Sequence, residues 1–154
     1  LGNSLVLIAP ANSTAQVTLG RGIDFTAFLG PNGRIATGDP SNVPVGRYAQ
    51  AALTWMGVWE AINPRLARAD NVRAALLLVE RGEAPLGIVY ETDARASAGV
   101  RTVATFPAES HPPITYPFAI TRRAEGNAAR AFFTFVTSPD AQPTWQRFGF
   151  TLAR

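Results

Sequence analysis

Short unbroken apolar runs alternate along this chain with stretches whose apolar residues recur every three or four positions. Leu5-Val6-Leu7-Ile8-Ala9, closed by Pro10, reads as a buried strand. Arg34–Gly38, Leu86–Tyr90 and Val100–Phe106 read the same way. Between them, Ile23–Leu29 predicts a short helix before the Gly30-Pro31-Asn32-Gly33 turn. Arg47–Trp59 predicts an amphipathic helix whose start is favoured by Pro44, because proline lacks only an N–H that has no partner there. A third helix starts with Asp70 as expected N-cap and runs to a turn at Gly82, and a fourth covers Thr92–Ala98. Helices alternating with short apolar strands predict an α/β fold with a largely parallel sheet.

Pro107-Ala108-Glu109-Ser110-His111-Pro112-Pro113 reads as a linker. Beyond it the pattern predicts a strand, Ile114–Thr121, and helices near 127–136 and 139–148. Residues 12–108 hold enough strands and helices for a self-sufficient lobe, whereas 1–11 and 109–154 do not make a second one. Phe132, Phe133, Phe135, Trp145, Phe148 and Phe150 nevertheless demand burial, at about 1.5–3 kcal/mol each. Either they pack back on the middle lobe or another chain covers them.

Composition narrows the chemistry. With 47% hydrophobic and 16% charged residues among 154, the chain is a folded globular protein. It has no cysteine, which removes disulfides, zinc–thiolate sites and cysteine nucleophiles. Its 14 basic residues are all arginine and are scattered, with Arg122-Arg123 the only adjacent pair, so no basic stripe points to nucleic acid. No apolar run reaches the roughly 18 residues of a membrane span. The opening Leu1-Gly2-Asn3-Ser4 has neither an initiator methionine nor a signal peptide, and is read as the start of a processed or truncated product.

Catalysis has little support. The single histidine, His111, sits in the Pro-rich linker. Ser97 and Ser110 lack a histidine at motif spacing, no G-x-S-x-G is present, and no Gly-rich phosphate loop occurs. Asp39, Asp70 and Asp93 stand where turns and caps favour aspartate. Trp55 and Trp59, spaced i, i+4, read as core. What remains is a set of neutral donors. Pro44 leaves the N–H groups of Val45 and Gly46 without helical partners, and the Asp70 helix does so for Asn71, Val72 and Arg73. Tyr90 ends a buried strand, so its hydroxyl can reach a cleft beside those groups. Neutral donors and helix dipoles converging on one point suit an anion.

The segments Gly38-Asp39-Pro40-Ser41-Asn42-Val43-Pro44-Val45-Gly46-Arg47-Tyr48-Ala49 and Ala69–Tyr90 resemble the periplasmic molybdate-binding proteins of bacterial ABC importers. Val103-Ala104-Thr105-Phe106-Pro107, Tyr116-Pro117-Phe118-Ala119-Ile120 and Arg147-Phe148-Gly149-Phe150 continue the resemblance over essentially the whole chain. It implies a type II periplasmic-binding-protein-like fold, with one complete lobe, residues 12–108, plus remnants of the other. Residues 1–11 and 109–154 would be the crossover strands and C-terminal helices of that truncated first lobe. It implies molybdate or tungstate as ligand, no cofactor, a membrane permease as partner and a periplasmic location. The implied oxyanion contacts are the backbone N–H groups of Val45 and Val72 and the hydroxyl of Tyr90, with no metal–side-chain coordination. Position 45 is Val where the family motif has Ala, which a backbone contact tolerates. Two serines that close the site from the opposite lobe in the family have no counterpart here. The alternative function is the effector-binding domain of a transcriptional regulator sharing the fold. Loss of most of a lobe predicts weak or absent ligand binding by the fragment, and self-association through its exposed edges or an altered placement of residues 109–154.

Overall fold

The computed structural model describes residues 1–124 and 126–152; positions 125, 153 and 154 of the expected C-terminal segment lie outside the described residues. In chain order the elements are β1 (Gly2–Asn3), β2 (Leu5–Pro10), α1 (Thr26–Leu29), β3 (Ile35–Gly38), α2 (Pro44–Trp55), α3 (Trp59–Ile62) and β4 (Leu66–Ala69). They continue with α4 (Val72–Glu80), β5 (Leu86–Tyr90), α5 (Glu91–Arg95), β6 (Val100–Thr105), β7 (Ile114–Thr115), α6 (Asn127–Thr137) and α7 (Gln142–Arg147).

A five-stranded sheet of order β4-β3-β5-β2-β6 divides two apolar layers. Strand β2 shows why. Its residues point alternately to opposite faces, as a period of two requires. Leu5, Leu7 and Ala9 join the core that includes Val45, Ala49 and Leu53 of α2. Val6 and Ile8 join the one that includes Ala75, Leu76 and Val79 of α4. Both faces of the strand are therefore buried, and the sequence is apolar without alternation.

The expected parallel sheet is only half parallel. β3 pairs in parallel with β4 and β5, but β2 is antiparallel to both β5 and β6. The reason is connectivity: β4, β3 and β5 are joined by helical crossovers, whereas β2 enters directly from β1 and β6 leaves toward β7. Those outer ends pair with each other as an antiparallel ribbon, Gly2 opposite Thr115 and Asn3 opposite Ile114. Leu5–Pro10, expected to stand apart with residues 1–11, is thus an interior strand of the middle unit's sheet.

Other boundaries moved for local reasons. Helix α2 stops at Trp55, not Trp59, because Gly57 takes a left-handed φ of 77°. There the N–H of Val58 donates to the Leu53 carbonyl (3.0 Å) and that of Gly57 to Thr54 (2.9 Å), a Schellman closure. Gly82 ends α4 in the same way, with Glu83 N–H on the Leu78 carbonyl. Trp55 and Trp59 accordingly lie on separate helices, both packed against the first core. Strand β4 was not expected, since Leu66-Ala67-Arg68-Ala69 carries little apolar signal; parallel pairing with β3 makes it a strand. Conversely Ile114–Thr121 is extended in pairing only at Ile114–Thr115, and residues 117–121 are exposed.

Candidate oxyanion site

Three of the strands, β3, β4 and β5, run in the same direction, so Gly38, Ala69 and Tyr90 end at one edge of the sheet. The carboxyl edge of such strands is where α/β sheets bind ligands. Two helix starts follow from it. Asp39 ties them together: its N–H donates to the Ala69 carbonyl (2.9 Å), and its own carbonyl accepts from Val43 N–H (2.8 Å). Its carboxylate accepts from Ser41 N–H (2.9 Å), which holds the acid below the usual carboxylate range.

Val43 is extended and Pro44 opens α2. Val45 and Gly46 therefore have N–H groups with no helical acceptor; among the described residues none is found elsewhere. Gly46 is dictated by packing. A Cβ there would collide with the Gly38 carbonyl and lie 2.7 Å from Pro40 N, so only glycine lets this helix start sit directly on β3.

At the second start the expected Asp70 cap is corrected. The N-cap is Asn71, extended, with Oδ1 accepting from Ala74 N–H at 2.9 Å. Strand β4 runs through Ala69, so residue 71 is the one that meets the first turn. The cap is consequently uncharged, which favours an approaching anion. Val72 N–H has no partner among the described residues. Arg73 is occupied: its Nε lies 2.7 Å from Oδ1 of buried Asp93.

Tyr90, the last residue of β5, is half-buried and meets Tyr48 edge-on, ring centroids 6.2 Å apart. Burial pushes its phenol well above the ordinary tyrosine value, with neighbouring Tyr116, Tyr48 and Asp93 adding to the effect. The side chain stays an O–H donor through neutral pH. Its hydroxyl has no hydrogen-bond partner among the described residues, and it is not a buried unsatisfied atom, so it opens to solvent in the cleft.

A cleft of about 390 Å³ is bounded by Val43, Val45, Asn71, Val72, Tyr90 and Tyr116, among others. All three expected contact residues thus line one space. Tyr116 lines the same space and was not among the expected contact residues. It arrives from beyond the linker through the β1–β7 ribbon, and no local pattern announces that. His111 is remote from any base–nucleophile arrangement: its ring meets Tyr48 edge-on and its Nδ1 lies 2.8 Å from the Pro112 carbonyl. Ser97 and Ser110 hydroxyls donate to Glu80 and to the Pro107 carbonyl. Among the described residues no group of three His, Asp or Glu side chains could hold a metal, and no helix is long and apolar enough to cross a membrane.

Comparison with known proteins agrees with the fold. The molybdate-binding protein ModA of Escherichia coli is 46% identical over 153 residues, covering 99% of this chain and 59% of the relative. ModA of Haemophilus influenzae is 44% identical over 152 residues, 98% of this chain and 59% of its own length. The chain thus spans about three fifths of these relatives. Among solved structures, the substrate binding domain of a putative molybdenum ABC transporter from Clostridium difficile superposes with a TM-score of 0.84. It is 28% identical, over all of this chain and 65% of that one. The periplasmic molybdate-binding protein of Azotobacter vinelandii, 23% identical with a TM-score of 0.74 over 99% of this chain and 66% of that one, shares the fold. A family model described as bacterial extracellular solute-binding protein matches residues 1–151, and the chain belongs to that family.

Proposed function

We propose that this chain carries one wall of a molybdate- or tungstate-binding site in a protein that delivers the oxyanion to an ABC importer. What supports the reading is that Val45, Val72 and Tyr90 line one cleft, and that no arginine is among its lining residues. Two helix N-termini and a phenol hold an oxyanion by partial charges, leaving no full positive charge to bind carboxylates or phosphates indiscriminately. The relatives named for molybdate binding support the choice of ligand.

In this reading the middle unit, residues 12–108 with β2 built into its sheet, is one lobe. Residues 109–154 belong with a second lobe whose remaining part would supply the opposing donors. The protein works as a periplasmic carrier, without catalysis or cofactor, and a membrane permease is its partner. Nothing observed favours the regulator alternative.

Calorimetry of the 154-residue chain with molybdate, tungstate and sulfate tests the proposal. Weak binding of the first two that is weakened further by Val72→Pro, which deletes one donor N–H at a first helical position where proline is tolerated, supports it. Nanomolar affinity would show that the wall described here is already a whole site, and binding unaffected by that substitution would place the ligand elsewhere.

A further inference from the structure

Asn3 is buried and its side-chain amide is fully committed. Its Oδ1 accepts from the Ser4 N–H at 2.9 Å, and a backbone N–H can only donate, so the orientation of the amide is fixed. The Nδ2 group must therefore be the donor in its two other contacts, to Thr92 Oγ1 at 2.9 Å and to Tyr116 Oη at 3.1 Å. Tyr116 Oη is an acceptor there, and its own proton has to go elsewhere. Among the described residues no acceptor takes it.

The ring is held in place. Tyr116 N–H donates to the Leu1 carbonyl (2.8 Å), extending the β1–β7 ribbon, and Phe150 meets the ring edge-on at 5.5 Å. The side chain lines the same cleft as Val45, Val72 and Tyr90. A hydroxyl that accepts one hydrogen bond is a better donor in the next, because each bond polarises the following one.

We infer that Tyr116 is a further oxyanion-contacting residue, donating its hydroxyl proton across the cleft from Tyr90, and that Asn3 is the positioning residue that turns this proton toward the ligand. The inference rests on the proposed oxyanion site and adds a donor from the crossing segment, not from the sheet edge. Two phenols in one cleft, both neutral donors, add contacts without adding charge.

The test uses the 154-residue chain labelled with ¹³C at the tyrosine Cζ, which yields one signal for each of its 3 tyrosines. Single Tyr→Phe variants assign them. On titration with molybdate, the Tyr90 and Tyr116 signals are expected to move along one binding curve. Movement of Tyr90 with Tyr116 unmoved overturns this inference and leaves the proposed function standing; movement of neither overturns both. Tyr116→Phe is expected to weaken binding about tenfold, the scale of one hydrogen bond to a charged group. Affinity within twofold of the parent would overturn the assignment. Asn3→Asp reverses the contact, since the carboxylate accepts the tyrosine proton. It should weaken binding more in the parent than in the Tyr116→Phe background, where only its charge acts. Equal losses in both backgrounds would remove Asn3 from the role.

Discussion

Arg73 Nε sits 2.7 Å from Asp93 Oδ1, with the arginine side chain 65% exposed and the aspartate 7% exposed. The pair joins the first turn of α4, which presents Val72 N–H, to α5, which starts immediately after Tyr90. Burial raises the Asp93 pKa above its ordinary 3.8, and the attraction of Arg73 only partly offsets that. A raised carboxyl pKa means the folded state holds the proton more tightly than the unfolded chain. Its contribution to stability is then most favourable below 3.8 and declines as pH rises through the raised value. Asp93→Asn should remove that decline, visible in urea midpoints followed from acid to neutral pH. Arg73→Ala leaves the buried carboxylate alone and should cost about 1–2 kcal/mol at neutral pH, less than for a fully buried pair because the guanidinium is largely in water.

Tyr90→Phe keeps the ring that packs on Tyr48 and removes only the hydroxyl. Stability should hold, while molybdate affinity falls by about 1–2 kcal/mol, roughly five- to thirtyfold. Calorimetry and thermal melting on the same samples separate the two effects. An unchanged affinity would take Tyr90 out of the site.

Asn71 has two roles, cap and cleft wall, and two substitutions pull them apart. Asn71→Ala loses the bond to Ala74 N–H and should lower stability by about 1 kcal/mol. Asn71→Asp keeps the cap, and its charge favours the helix N-terminus, so stability should be retained or raised. The same carboxylate faces the cleft and should depress oxyanion binding more strongly than alanine does. Melting temperatures and molybdate titrations should therefore rank the two variants in opposite orders.

Phe132 and Phe135, one helical turn apart on α6, are 66% and 56% exposed, and Phe148 is 54% exposed. Exposed large apolar side chains of this kind tend to find a partner. The 154-residue chain is expected to associate with itself as concentration rises in sedimentation velocity. Phe132→Ser with Phe135→Ser should shift it toward monomer without changing the melting of the sheet. A monodisperse parent would count against this.

Much of the site was legible because its pieces are local. Proline at a helix start, a short polar cap before an apolar helix and a tyrosine ending a buried strand are short-range signals; they marked Val45 and Gly46, residues 71–73 and Tyr90, and the family resemblance narrowed these to Val45, Val72 and Tyr90. The choice of Asn71 over Asp70 as cap was not legible, since both residues cap well. It depends on how far β4 extends, and β4 exists only through its pairing with β3.

The sequence by itself determined the α/β alternation, the approximate places of the helix starts and the buried strand β2, because burial on both faces, capping and turn chemistry act between neighbours along the chain. Only the tertiary structure decided that β2 lies antiparallel inside the sheet, that Arg73 is claimed by Asp93, and that Asn3 aims Tyr116 at the cleft. Those contacts join residues 20 to more than 100 positions apart. No periodicity reports them, because their partners meet only after the sheet has assembled.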